Sequence, residues 1–185
     1  MIARKPVAGK ALLVIAPKDF RDEEYFETRR ALEGKGISVV TASKGVSEAR
    51  GMLGGKARVD MDISSADADA FDAVVFIGGT GAHAFFNDPA AHRLAASAFE
   101  KGRIVAAICI APVILANAGI LQGKKATVWG GVYSTQIEAG GADYTGEDVV
   151  TDGSVITANG PDAARDFGRR IAKEMEGKGF KIPAR

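Results

Sequence analysis

The chain alternates short, continuous apolar runs with longer stretches in which apolar residues return every three or four positions. A continuous run suits a strand covered on both faces, and the longer period is that of an amphipathic helix. Residues 11–16, 37–41, 72–77, 103–108 and 154–158 read as buried strands. Residues 21–35 read as a charged helix with Phe26, Ala31 and Leu32 near helical spacing, closed by Gly34 and Gly36. Residues 88–102 predict a helix with Pro89 in its first turn, and residues 112–118 another. Residues 161–176 predict a terminal helix with Ala164, Phe167, Ile171 and Met175 on one face.

The remaining segments are shorter. Residues 47–63 are Gly-rich and alternate Ala57, Val59, Met61 and Ile63, which reads as a hairpin or edge excursion. Residues 125–129 read as a strand, with further short candidates near Asp143 and Val149. Strands alternating with helices, joined by right-handed crossovers, predict a three-layer α/β/α sandwich around a mostly parallel sheet. With no repeat or linker in view, residues 1–185 are expected to form a single domain.

Residues 104–121 are apolar for long enough to cross a bilayer. Their richness in Ala, the central Pro112 and the lack of an aromatic belt favour a buried strand followed by a buried helix, and no membrane partner is expected. Composition agrees with a globular domain: 46% hydrophobic and 25% charged residues exclude a disordered or collagen-like chain. The formal charge of +1 lacks the basic excess that phosphate-backbone binding needs, so nucleic acid is not an expected partner. The first ten residues are basic but carry no apolar leader core, which predicts a cytoplasmic location, and residues 177–185 read as a solvated tail.

Two departures from average composition remain. Gly occurs 23 times and Cys once. One Cys excludes an internal disulfide and a multi-Cys metal cage, and no metal or cofactor is expected. That residue, Cys109, follows the apolar strand ending at Ile108 and precedes a helix opened by Pro112. Strand, thiol, helix is the layout of a nucleophile elbow, and a helix N-terminus favours thiolate. The competing reading is a small apolar filler in a buried corner. Gly78-Gly79-Thr80-Gly81 follows the 72–77 strand and should end beside Cys109. There the Gly79 and Ile110 amides would donate to an oxyanion; a plain turn, or a loose dinucleotide fingerprint at Gly79, Gly81 and Ala84, are the alternatives. Asp22, Glu23 and Glu24 open the first helix, where carboxylates complement the helix dipole, and one of them has room to point inward.

Several segments carry a resemblance to the ThiJ/PfpI superfamily: Phe20 to Glu24, Phe71 to Gly79, the Ala107-Ile108-Cys109-Ile110-Ala111-Pro112 elbow and its continuation to Lys125, and Ile156 to Pro161. The resemblance spans essentially the whole chain and implies a class I glutamine amidotransferase-like, flavodoxin-like sandwich. It also implies that Cys109 is the reactive thiol and Glu24 the carboxyl touching it. A thiolate and a carboxylate in contact repel, so such a pair should hold one proton between them. Peptidase-like members place His directly after the Cys, and here that position is Ile110. His83 stands where those members present a Glu to a neighbouring subunit; it is either an imidazole lent to Cys109 or a satisfied loop residue. His92 reads as a surface residue. Trp129 stands where relatives place a pocket His or Tyr, which makes it a candidate pocket wall or an ordinary packing residue.

The leading expectation is a cysteine-dependent enzyme acting on reactive carbonyls, glyoxalase-like or deglycase-like, or less favourably an intracellular peptidase, assembled as a dimer or hexamer. Loss of the adjacent His disfavours amide cleavage, which needs a general acid at the leaving amine. The alternatives are a redox-sensing or chaperone-like stress protein using the same oxidisable thiol, and a flavodoxin-like nucleotide binder.

Overall fold

The computed structural model describes residues 9–179; the readings made for residues 1–8 and 180–185 lie outside them. The chain runs through β1 (Lys10–Val14), β2 (Lys18–Phe20), α1 (Asp22–Glu33), β3 (Ser38–Ser43), β4 (Glu48–Gly51), β5 (Lys56–Arg58), β6 (Met61–Asp62) and β7 (Ala73–Phe76). It continues through α2 (Pro89–Glu100), β8 (Ile104–Ile108), α3 (Pro112–Asn117), β9 (Lys125–Ala126), α4 (Val132–Ala139), β10 (Asp143–Tyr144), β11 (Val149–Asp152), β12 (Val155–Ala158) and α5 (Ala164–Gly177).

The apolar runs form a seven-stranded sheet in the order β11-β12-β8-β7-β1-β3-β6. Every neighbouring pair is parallel except β11 with β12. Strands β7 and β8 are buried along their whole length, and β1 everywhere but Lys10, as strands covered on both faces must be. Helices α1 and α5 pack together on one side, and α2, α3 and α4 cover the other. A side chain on Gly168 would press into Ala31 and the Thr28 backbone, so this glycine lets α5 lie close against α1. The three-layer, flavodoxin-like α/β/α sandwich read from the sequence is the fold observed. Residues 104–121 are β8 and the buried α3, and among the described residues no helix is long and apolar enough to cross a membrane.

The 47–63 segment does both things its pattern allowed. Strands β4 and β5 form an antiparallel hairpin joined edgewise to β2, and β6 extends the main sheet beside β3. Asp22 holds the hairpin tip: its carboxylate accepts from the Leu53 and Gly55 amides at 2.8 and 2.7 Å. One expectation needs correction. Residues 125–129 are not a five-residue strand; β9 stops at Ala126 and pairs with β10 in a separate two-stranded sheet. The amides beyond it go elsewhere, Thr127 N–H to the Thr157 hydroxyl and Trp129 N–H to the Cys109 carbonyl, both at 2.9 Å. Those bonds tie the segment to the strand ends where the site lies. Helix α4 has no counterpart in the sequence reading, because only Ile137 along it is buried and an apolar period is absent.

Candidate active site

Parallel β7 and β8 end side by side, so the loops leaving them share one edge of the sheet. The first residue past β8 is Cys109, with φ at +64°. Such a left-handed conformation costs a non-glycine residue about 1–2 kcal/mol and persists only where neighbours impose it. Here the Cys109 amide donates to Ala158 O, and its carbonyl accepts from Trp129, each at 2.9 Å. The elbow is therefore held from both sides, which presents the thiol to the adjoining loop.

That loop is Gly78-Gly79. A Cβ on Gly78 would stand 2.5 Å from Cys109 Cβ, 2.6 Å from Glu24 Oε2 and 2.8 Å from the Ile108 carbonyl. Thiol and carboxyl thus flank one point that only glycine leaves open. Gly79 has φ at +98°, and a side chain there would meet the backbone of residues 19–21. Both glycines are required by the close approach of the first-helix loop to the elbow.

Of the acidic residues opening α1, each has a different task. Asp22 holds the hairpin tip, and Glu23 pairs with the Arg21 guanidinium at 2.8 Å. Glu24 is the one that points inward, with no exposure to solvent. Its Oε2 accepts from the Gly78 amide at 2.9 Å, while Oε1 is buried without a nitrogen or oxygen partner. The carboxyl lies close enough to the Cys109 thiol for each to act on the other's ionisation. A carboxylate so poorly solvated favours its neutral form, and burial pushes Glu24 up to about 8.

Burial also pushes the Cys109 thiol up to about 12, and the charge of Glu24 adds to the rise. The expectation that a helix N-terminus lowers the thiol is therefore corrected. Helix α3 begins only at Pro112 and spans six residues, and desolvation outweighs it. What acts against that rise is the nearness of two backbone amides, Gly79 and Ile110. These are the two amides expected at an oxyanion.

Cys109 is only 8% exposed, and that exposure opens into a pocket of about 190 Å³. Gly79, Thr80, Ile110 and Pro161 line it, together with the larger side chains of Arg21, Met52, Trp129 and Tyr133. Trp129 does form a wall, since a Cβ on Gly160 would lie 2.8 Å from the indole ring. His83 is exposed and does not line the pocket of its own chain. Its Nδ1 meets Thr80 O at 2.8 Å and its Nε2 meets the Tyr133 hydroxyl at 3.2 Å. The imidazole thus reaches the pocket only through Tyr133. His92 is half-buried rather than a surface residue, its Nε2 meeting Phe86 O at 2.8 Å.

Sequence reasoning missed Arg21, Met52, Thr80, Tyr133 and Pro161. Arg21 and Pro161 lie inside segments that carry the family resemblance, so a signal was present; Met52 and Tyr133 sit on the hairpin tip and on α4, where no pattern pointed to the site. Among the described residues no group of three or more His, Cys, Asp or Glu side chains is arranged to hold a metal ion.

The same architecture recurs in known proteins. The model of the DJ-1/PfpI family matches residues 9–174. An uncharacterized protein of Methanocaldococcus jannaschii is 43% identical over 170 residues, covering 91% of this chain and 83% of its own. Deglycase PfpI of Pyrococcus furiosus is 31% identical over 165 residues, covering 89% and 99%. The crystal structure of a ThiJ/PfpI domain protein from Brachyspira murdochii superposes with a TM-score of 0.89 at 34% identity, over 92% of this chain and 98% of that one. A family match over nearly the whole described chain, joined to a positive-φ cysteine elbow at the end of β8, identifies this chain as a member of the DJ-1/PfpI family.

Proposed function

We propose that the protein is a cysteine-dependent enzyme acting on small reactive carbonyls. The observation that carries this reading is the only thiol of the chain opening into a pocket of about 190 Å³, with the buried Glu24 carboxyl and the Gly79 and Ile110 backbone beside it. Sites for drug-sized ligands usually span about 300–1,000 Å³, so this pocket suits a molecule of a few heavy atoms better than an extended peptide. The relative named a deglycase points the same way.

The chemistry follows from the coupled pair. Below about pH 8 both groups hold their protons; the Glu24 carboxylate formed above it is the base that takes the thiol proton as sulfur attacks. Sulfur then adds to an aldehyde carbon, the carbonyl π pair passes to oxygen, and Glu24 returns a proton to it. The Gly79 and Ile110 amides beside the thiol stabilise the negative charge that develops on oxygen. With a 2-oxoaldehyde, moving a proton from C1 to C2 oxidises the first carbon and reduces the second. The resulting thioester takes up water to release a 2-hydroxy acid and regenerate the thiol. His83 contributes through the Tyr133 hydroxyl that it holds at the pocket. A dimer or hexamer belongs to the same proposal, supported by the exposed Trp129 and Val132 beside the pocket.

Incubation with methylglyoxal tests the reading. Wild type should form lactate above the buffer control, and Cys109→Ala should not, a difference of at least about 100-fold for loss of a covalent nucleophile. Equal lactate from both proteins would remove Cys109 from the reaction. A second reading, a redox-sensing stress protein, is favoured by the same two amides, which would hold a sulfinate as readily as a thiolate.

A further inference from the structure

Arg21 is the only charged side chain lining the pocket among the described residues. Its backbone is fixed there, because its amide donates to Gly78 O at 2.9 Å. Its side chain is fixed too: Nε and Nη2 donate to Glu23 Oε2 and Oε1 at 2.8 and 3.0 Å. A guanidinium carries five N–H donors, so this fork leaves three of them without an acceptor among the described residues. Glu23, the counter-charge, does not line the pocket. The guanidinium also lies close enough to Cys109 to interact with the charge on its sulfur. A pre-oriented guanidinium with spare donors is the side chain best matched to a planar carboxylate.

We infer that Arg21 is a specificity-determining residue that binds a carboxylate on the substrate, so that the pocket takes small 2-oxoaldehydes that also carry a carboxylate. The inference rests on the reading of Cys109 as the nucleophile and names its substrate class. In the addition step the sulfur–carbon bond forms at the aldehyde carbon, the π pair moves to oxygen, and the proton comes from Glu24. The carboxylate beyond the 2-oxo carbon stays on Arg21 and neither gains nor loses electrons.

Alkylation tests this without requiring turnover. Iodoacetate and iodoacetamide both lose iodide to a thiolate and differ in carrying a carboxylate or a neutral amide. Rates of Cys109 labelling by each would be measured by intact-protein mass in wild type, Arg21→Gln and Arg21→Lys, and divided by the rates for N-acetylcysteine. The iodoacetate-to-iodoacetamide ratio, so normalised, should be at least tenfold above unity in wild type and fall to near unity in Arg21→Gln. Arg21→Lys, which keeps the charge, should retain part of the preference and guards against a folding defect in the Gln variant.

Any effect of Arg21 on the thiolate fraction alone changes both rates equally and cancels in the ratio. A ratio that is the same in wild type and Arg21→Gln would therefore overturn the inference. So would Cys109 labelling by neither reagent in the folded protein when the denatured chain labels fully. A preference for iodoacetate accompanied by no lactate from methylglyoxal would leave the carboxylate site standing and count against the methylglyoxal reading alone.

Discussion

Glu24→Gln is expected to make the protein more stable than wild type at pH 9 while leaving the two nearly equal at pH 4. Glu24 sits near 8 in the folded chain against an ordinary 4.5, because burial disfavours its charge. Between those values the folded state keeps a proton that the unfolded state has released, so folding stability falls as pH rises. The stabilising contribution of the neutral carboxyl is complete below pH 4.5, declines through the interval and is gone above about 8. Each pKa unit corresponds to about 1.4 kcal/mol, which sets the full difference at up to roughly 5 kcal/mol. The Gln amide fills the same space without titrating. Urea unfolding midpoints at pH 4, 6, 8 and 9 would check this. Parallel curves for the two proteins would mean that Glu24 is not held neutral by the fold. Cys109, raised to about 12, adds a further decline above pH 9 that both proteins share in kind.

The second large effect is expected at Gly78. A methyl group there would stand 2.5 Å from Cys109 Cβ and 2.8 Å from a strand carbonyl, positions that rigid backbone cannot yield. Overpacking of a filled core costs typically 1–3 kcal/mol, and Gly78→Ala should lie at the upper end, about 3 kcal/mol. The methyl would also stand 2.6 Å from Glu24 Oε2 and drive the carboxyl away from the thiol. Thermal unfolding should show the loss of stability. Cys109 labelling should lose the pH dependence that the carboxyl imposes. A variant with wild-type stability would show that the thiol and the carboxyl are not wedged together around this glycine.

Both predictions concern residues that the sequence offered for different reasons. The buried strands were legible because a strand covered on both faces has no polar side to confuse its period, as β7 and β8 illustrate. Cys109 was legible as the only thiol, placed at the end of such a strand. Glu24 could not be singled out by local chemistry, since Asp22, Glu23 and Glu24 all suit the start of a helix; the family resemblance selected it, and burial in the fold explains the selection. Tyr133 and Met52 were not legible at all. Each reaches the pocket from an element whose own sequence lacks a strong period, and only the tertiary fold brings it to Cys109. The error over the thiol has a physical origin too: helix-dipole reasoning weighs a local field, whereas the desolvation that wins depends on what the rest of the chain packs around the sulfur.

Cys109 and Glu24 are expected to titrate as one unit. The most direct measurement is the rate of Cys109 alkylation by iodoacetamide from pH 5 to 11 in wild type and Glu24→Gln. Wild type should rise through an inflection near pH 8, where Glu24 becomes the carboxylate that takes the thiol proton. In Glu24→Gln that inflection should be absent, with labelling rising only toward the high pH of the buried thiol, because an amide takes up no proton. Superimposable curves would contradict the claim and leave Cys109 as a buried thiol beside an unrelated carboxyl.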